Sequence, residues 1–148
     1  MVNESDKYKT IKSDSKGFYK DRGSKFYAYA YPVRYESEIK EHQDILRKKH
    51  HDARHHVYAF VIGSDKSFYR ASDDGEPAHS SGDPVLGQIR SNDLTNILIV
   101  VVRYFGGTKL GIPGLINAYK SAAADAINNA KIVEKYLTKE IRIHFDYN

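Results

Sequence analysis

The 148-residue sequence contains no cysteine, no tryptophan and a single methionine. Without cysteine, the chain can have no disulfides, no thiolate zinc site and no cysteine nucleophile. No run approaches eighteen consecutive apolar residues, so no membrane contact through a spanning helix is expected. The first six residues are polar and acidic and lack an apolar signal core, which argues against secretion. We therefore expect a cytoplasmic protein.

Hydrophobic residues make up 41% of the chain, enough for a real core, and the length suits one domain. The net charge of +4 is unevenly spread. Residues 1–54 hold 13 Lys and Arg against 9 Asp and Glu, whereas residues 55–148 hold 10 of each. This basic first third is a mild indication of a polyanionic partner. The twelve tyrosines could stack on bases, although tyrosine also simply suits strands.

Hydrophobic periodicity predicts strands and helices in a mixed order. Strands are expected at residues 26–33, 55–62, 67–71 and 97–102, with weaker signals at 8–12, 18–19 and 132–133. Helices are expected at about 37–49, 83–89 and 113–130, the first capped by Ser37 and the others opened by Pro84 and Pro113. The continuously apolar strand 97–102 is typical of a central strand covered on both faces. The alternating tail 139–147 predicts one more strand, for which the chain offers no partner.

A site-like stretch runs from residue 73 to 114, where an acidic turn and the apolar strand lead into a glycine loop and a helix start. The amides and dipole of a helix start favour an anion, and glycines let a ligand approach the backbone. The loop matches neither a Walker loop nor a dinucleotide fingerprint. In the alternative interpretation, the glycines serve only turn geometry. The candidate residues for binding an anion or other ligand are Arg103, Gly106, Gly107, Lys109, Gly111 and Gly114.

The acidic turn supplies three carboxylates, on Asp73, Asp74 and Glu76, which could act as acid–base groups or as ligands of a hard metal. Alternatively, they cap nearby amides in an ordinary turn. His55 and His56 point to opposite faces of one strand, so one of the two rings could meet the turn. His56 joins the carboxylates as a candidate. No catalytic role is assigned to any of these residues, and no metal or cofactor is expected.

Several motifs occur in the order typical of one protein family. They are His55-His56-x-Tyr58-Ala59, Ser72-Asp73-Asp74-Gly75-Glu76-Pro77, Gly82-x-Pro84, Leu94-Thr95-Asn96, Arg103-Tyr104-Phe105-Gly106-Gly107-x-Lys109-Leu110-Gly111, Gly114-Leu115 and Ala118-Tyr119. Over roughly residues 20–131 the chain resembles the YigZ/IMPACT family. It departs from the family pattern at His79-Ser80-Ser81-Gly82 and at Gly111-Ile112-Pro113-Gly114, where Pro113 removes one amide.

The resemblance implies an α+β fold like the second domain of ribosomal protein S-five, a mixed β-sheet with helices packed on one face. It implies an Impact N-terminal-like domain at 1–135. Residues 139–148 would then begin a truncated ferredoxin-like C-terminal domain.

The resemblance also implies a non-catalytic, translation-related regulatory domain that binds RNA, the ribosome or a protein partner. The alternative is a hydrolase-like enzyme that acts on a phosphorylated small molecule or nucleotide through the acidic turn and the glycine loop. The oligomeric state stays open.

Overall fold

Seven strands and three helices are formed by residues 7–137, the part of the chain that this computed structural model describes. The strands are β1 (Lys7–Ile11), β2 (Ser15–Asp21), β3 (Ser24–Pro32), β4 (His55–Ile62), β5 (Phe68–Ser72), β6 (Ile97–Tyr104) and β7 (Ile132–Tyr136). The helices are α1 (Glu36–Lys49), α2 (Gly82–Ser91) and α3 (Gly111–Asn128). None of the helices in this range is both long and apolar enough to cross a membrane.

Strand β6 lies at the centre of a five-stranded sheet with the order β2-β3-β6-β4-β5. Every neighbouring pair in this sheet is antiparallel. Strands β3 and β4 both flank β6, so they run in the same direction and α1 connects them across it. Strands β1 and β7 form a separate antiparallel pair. The apolar run 97–102 is thus the central strand, as its composition predicts.

The two faces of the sheet are covered by different helices. On one face, α2 and α3 pack against the inward side chains of β3, β4 and β6. Four alanines of α3 let its backbone lie close to the sheet, and strand β2 meets it at Gly17. On the other face, α1 presents Ile39 and Leu46 to a largely aromatic layer.

The α+β class is confirmed, with two differences from the implied arrangement. The helices α2 and α3 share one face, but α1 lies on the other, and the pairings of the main sheet are antiparallel rather than mixed. The reason is that β6 is buried and apolar on both faces, so each face needs a helix to exclude water.

Two helix starts and one strand differ in detail from the predictions. Tyr35, not Ser37, precedes α1, and the Glu38 carboxylate accepts hydrogen bonds from the amides of Arg34 and Tyr35. Helix α3 begins at Gly111, and Pro113 still fits because an amide in the first helical turn has no intrahelical partner. Strand β7 pairs with β1 instead of extending the main sheet. The predicted strand at 139–147 lies outside the described residues.

Candidate functional site

Asp73 holds the loop that leads into α2. Its Oδ1 accepts hydrogen bonds from the amides of Gly82 (2.9 Å) and Ser81 (3.3 Å) and from the Ser81 hydroxyl (2.9 Å), and its Oδ2 accepts one from the amide of His79 (2.9 Å). Burial, the largest single influence, raises the pKa of Asp73, but these donors together outweigh it and the pKa is lowered. Asp73 therefore acts as the capping carboxylate that the ordinary-turn interpretation describes.

Asp74 joins the acidic turn to the start of β4. Its backbone has a positive φ of 43°, and its Oδ2 accepts a hydrogen bond from the amide of His56 (2.7 Å). Its carbonyl oxygen lies 2.8 Å from Nδ1 of His55. Because a carbonyl can only accept, Nδ1 of His55 carries the proton, and the ring is held in one orientation.

Glu76 and Arg103 form a buried ion pair at the end of β6, with only 9% and 6% of their surfaces exposed. Nη1 of Arg103 lies 3.0 and 2.8 Å from the two carboxylate oxygens of Glu76. The hydroxyl of Tyr119 on α3 also donates to Glu76, and Nη2 of Arg103 donates to the hydroxyl of Ser24 (3.3 Å). Burial, followed by the Glu76 charge, raises the pKa of Tyr119. These contacts tie β3, the acidic turn, β6 and α3 together.

The two neighbouring histidines of β4 have different surroundings. His55 faces the acidic turn, and its Nε2 lies 3.6 Å from Oε1 of Glu76. His56 lies on the α1 side of the sheet, where its Nε2 donates to the carbonyl of His50 (3.2 Å). Burial lowers the pKa of His56. Of the two rings, the structure therefore brings His55 to the acidic turn, and the candidate His56 contacts it only through its backbone.

A cavity of about 510 Å³ opens above the Glu76–Arg103 pair. Four of the predicted residues line it, namely Glu76, Arg103, Lys109 and Gly111. Its other lining residues are Arg54, His55, Pro77, Phe105, Leu110, Ile112 and Leu115. We call this cavity the Arg103 pocket. The acidic turn, the end of β6 and the start of α3 thus meet at one concave site, as the sequence interpretation requires.

The remaining candidate residues do not line the Arg103 pocket. Gly106 packs against the β2–β3 turn, where an added Cβ would lie 2.0 Å from the carbonyl carbon of Gly23. Gly107 has a φ of 93°, and Gly114 lies against Leu110 within α3. For Gly106 and Gly107, close packing and turn geometry account for the residue type without a ligand.

The Arg103 pocket carries an excess of positive charge. Arg103 is neutralised by Glu76, whereas Arg54 and Lys109 are exposed and neither pairs with a carboxylate anywhere in residues 7–137. The first amides of α3 lie beside Lys109 and Gly111 and add to the positive potential. Sequence reasoning missed Arg54, whose only signal is that it directly precedes the His55-His56 motif.

Metal ligands are not grouped in this region. Across residues 7–137, no three His, Asp or Glu side chains lie close enough together to hold a metal ion. The pocket itself combines two cations that pair with no carboxylate of residues 7–137, an oriented histidine and an apolar wall.

The Impact N-terminal domain family model matches residues 22–127. The chain belongs to this family. The resemblance to the YigZ/IMPACT family is thereby confirmed, and the match includes every residue that lines the Arg103 pocket.

Three relatives illustrate how far the likeness extends. The chain is 36% identical over 124 residues to the IMPACT family member YvyE of Bacillus subtilis, covering 84% of the chain and 57% of YvyE. It superposes on the crystal structure of a hypothetical protein with a TM-score of 0.85 and 31% identity, covering 88% of the chain and 65% of that protein.

The third is a two-domain translational regulator, Yih1, matched with a TM-score of 0.50 and 29% identity over 82% of the chain and 47% of Yih1. The chain thus spans about half to two thirds of the length of these relatives.

Proposed function

We propose that this chain is a cytoplasmic, translation-related regulatory domain that binds RNA, the ribosome or a protein partner, and that the Arg103 pocket makes part of this contact. The link to translation is supported by the likeness to Yih1, which is described as a translational regulator. The observation that supports the binding role is the pocket itself, in which Arg54 and Lys109, unpaired within residues 7–137, flank an apolar wall.

The chemistry of the pocket favours a phosphate-bearing group. Arg54 and Lys109 line the pocket, and no carboxylate of residues 7–137 pairs with either of them. The start of α3 favours an anion in the same place. Phe105 and Ile112 are each about half exposed and offer apolar surface beside the charges. A volume of about 510 Å³ is in the range of sites that hold a nucleotide-sized ligand.

Co-sedimentation of the chain with purified ribosomes, and binding to ribosomal RNA at increasing salt, would test this role. The double substitution Arg54→Ala with Lys109→Ala should weaken binding about tenfold or more and reduce its salt dependence, because two phosphate contacts are lost. The control removes two equally exposed charges elsewhere, Lys120→Ala with Lys131→Ala. Equal losses in the two variants would show that the contact is unspecific and would overturn the role of the pocket.

An enzyme is a second candidate because His55 is oriented by the Asp74 carbonyl and lies beside Glu76 in the same pocket. The ring could then act as an acid–base group on a phosphorylated small molecule or nucleotide held by Arg54 and Lys109. The test is phosphate release from nucleoside phosphates by the wild-type chain and by His55→Gln. Release that His55→Gln leaves unchanged, or no release above the blank, would remove this candidate.

A further inference from the structure

The α1 face of the sheet is left partly uncovered at strands β2 and β3. Along β2, Gly17 lies against α3, so its neighbours Lys16 and Phe18 project to the opposite face. Along β3, Phe26 is buried against α3, so Lys25 and Tyr27 project to that same opposite face. Six side chains share this open surface, which we call the lysine–aromatic face: Lys16, Phe18, Lys20, Lys25, Tyr27 and Tyr104.

The strand register makes these side chains direct neighbours. Phe18 lies opposite Tyr27, and Lys25 lies between Lys20 on one side and Tyr104 on the other. The ring centroids of Phe18 and Tyr27 are 5.1 Å apart, and those of Tyr27 and Tyr104 are 5.9 Å apart. Phe18 is 44% exposed. The rings therefore form a continuous line across β2, β3 and β6, bordered by lysines.

The lysines of this face form no ion pair within the described protein, although Nζ of Lys16 lies 5.9 Å from the centroid of the Tyr29 ring. Within residues 7–137, no carboxylate pairs with Lys16, Lys20 or Lys25. Lys20 and Lys25 lie directly opposite each other, an arrangement of like charges that destabilises a sheet. Lysine on the edge strand β2 can discourage sheet extension, but Lys25 lies on an inner strand, where that reason does not apply.

At its β6 end, the line of rings borders a concavity of about 400 Å³. The concavity is lined by Gly23, Lys25, Tyr27, His50, Tyr104 and Phe105. The ring nitrogens of His50 lie 2.6 Å from the hydroxyls of Tyr29 and Tyr104, which fixes the Tyr104 ring in place. The carboxylate of Asp52 accepts a hydrogen bond from the Tyr104 hydroxyl (3.1 Å). The walls of the concavity thus include aromatic rings that are already in position, and Lys25 lies at its rim.

We propose that the lysine–aromatic face binds single-stranded nucleic acid, with bases stacked on Phe18 and Tyr27 and in the concavity, and with phosphates held by Lys16, Lys20 and Lys25. Aromatic rings flanked by cations are the combination that single strands require, because their bases are free to stack. Duplex bases are already stacked on one another and cannot reach the rings. The concavity shares only Phe105 with the lining of the Arg103 pocket, so each of the two proposals can be tested without the other.

The test is fluorescence anisotropy of labelled oligonucleotides of about eight nucleotides, as single-stranded RNA, single-stranded DNA and duplex RNA, at about 50 mM salt and above. We expect both single strands to bind the intact chain and the duplex to bind at least tenfold more weakly. Phe18→Ala and Tyr27→Ala should each weaken binding about tenfold or more. Replacing all three lysines by alanine should lower the salt slope by about two, since each phosphate contact on a single strand contributes about 0.7.

Two control variants make the outcome decisive. Tyr69→Ala removes a ring that is about as exposed but lies on edge strand β5, and should leave binding unchanged. Phe18→Leu keeps an apolar side chain without the ring, and should weaken binding as Phe18→Ala does. The proposal is overturned if the duplex binds as tightly as the single strands, if Phe18→Ala and Tyr27→Ala bind within about twofold of wild type, or if no oligonucleotide binds at low salt.

Discussion

The two faces of the five-stranded sheet exclude water with different side chains. On the α3 face, alanines of β3 and β4 meet alanines of α3 among larger aliphatic side chains, and these alanines are essentially without solvent exposure. On the α1 face, tyrosines and phenylalanines form the layer, and one helix covers only part of it. The tight face leaves no room for polar groups inside, so Glu76, Arg103 and the Arg103 pocket lie at its rim. The looser face leaves rings and lysines in contact with solvent.

Because of this difference, we expect substitutions at the two surfaces to have different effects. The rim of the α3 face holds a buried ion pair on which three elements depend, so changes there should affect stability. Lys16, Phe18, Lys20 and Lys25 of the lysine–aromatic face are exposed, whereas Tyr27 and Tyr104 are half-buried, so changes at the four exposed side chains should affect binding and leave the fold intact. The predictions that follow measure stability, two of them on the α3 face and one on the α1 face.

The largest effect is expected from Glu76→Gln. The substitution leaves Arg103 charged and buried without its partner, which should lower the free energy of unfolding by about 3–5 kcal/mol. Urea denaturation of the wild type and the variant measures this. In the double variant Glu76→Gln with Arg103→Met, the buried charge is gone, so part of the stability should return. A loss below about 1 kcal/mol for Glu76→Gln would mean that the pair is not buried as described.

A smaller loss is expected where β2 meets α3. A Cβ at Gly17 would lie 2.3 Å from the amide nitrogen of Ala126, so Gly17→Ala forces the strand away from the helix. We expect a loss of about 1–3 kcal/mol in urea denaturation. Gly87 on α2 is the matched control because an added Cβ there meets nothing within 4 Å. Gly87→Ala should be neutral or stabilise by up to about 1 kcal/mol. Equal effects at the two glycines would contradict the tight packing of this face.

The smallest effect is a pH dependence that comes from the α1 face. Burial lowers the pKa of both His50 and His56 from the usual 6.5. Between the lowered pKa values and 6.5 these two histidines bind more protons in the unfolded chain than in the folded chain, so their contribution to stability should be level above pH 6.5 and fall as the pH drops below it. Thermal unfolding over this range measures the effect.

The variant His56→Gln should make the loss of stability below pH 6.5 smaller, because it removes one of the two histidines that take up a proton on unfolding. The matched change His51→Gln, at an exposed side chain, should leave the profile as it is. A stability that rises as the pH falls from 6.5 toward 5 would contradict the burial of these two histidines.

The sequence predicts the elements well where the pattern is long and regular. The apolar run of β6 and the alanine stripe of α3 each fix both the type of the element and its inward side. The start of α3 is less certain from the sequence, since proline is tolerated at several first-turn positions. That β6 needs cover on both faces follows from its apolar composition, but no local pattern reports which helix covers which face.

The site is predictable only in part, because its key contacts are distant in sequence. The Glu76–Arg103 pair joins residues 27 positions apart, and the Tyr119 contact spans 43. Periodicity shows that His55 and His56 face opposite ways, but not which of them meets the acidic turn. The capping role of Asp73 follows from the turn composition, whereas Arg54 becomes visible only when the loop before β4 is seen beside the pocket.

The anion site in the Arg103 pocket is tested most directly by titrating the isotope-labelled chain with inorganic phosphate and following the chemical shifts of its backbone amides. We expect shifts centred on residues 109–115, saturating in the millimolar range or below and absent from the Arg54→Ala, Lys109→Ala double variant. Shifts that are unchanged in that variant, or no response to phosphate at about 10 mM, would contradict an anion site in the Arg103 pocket.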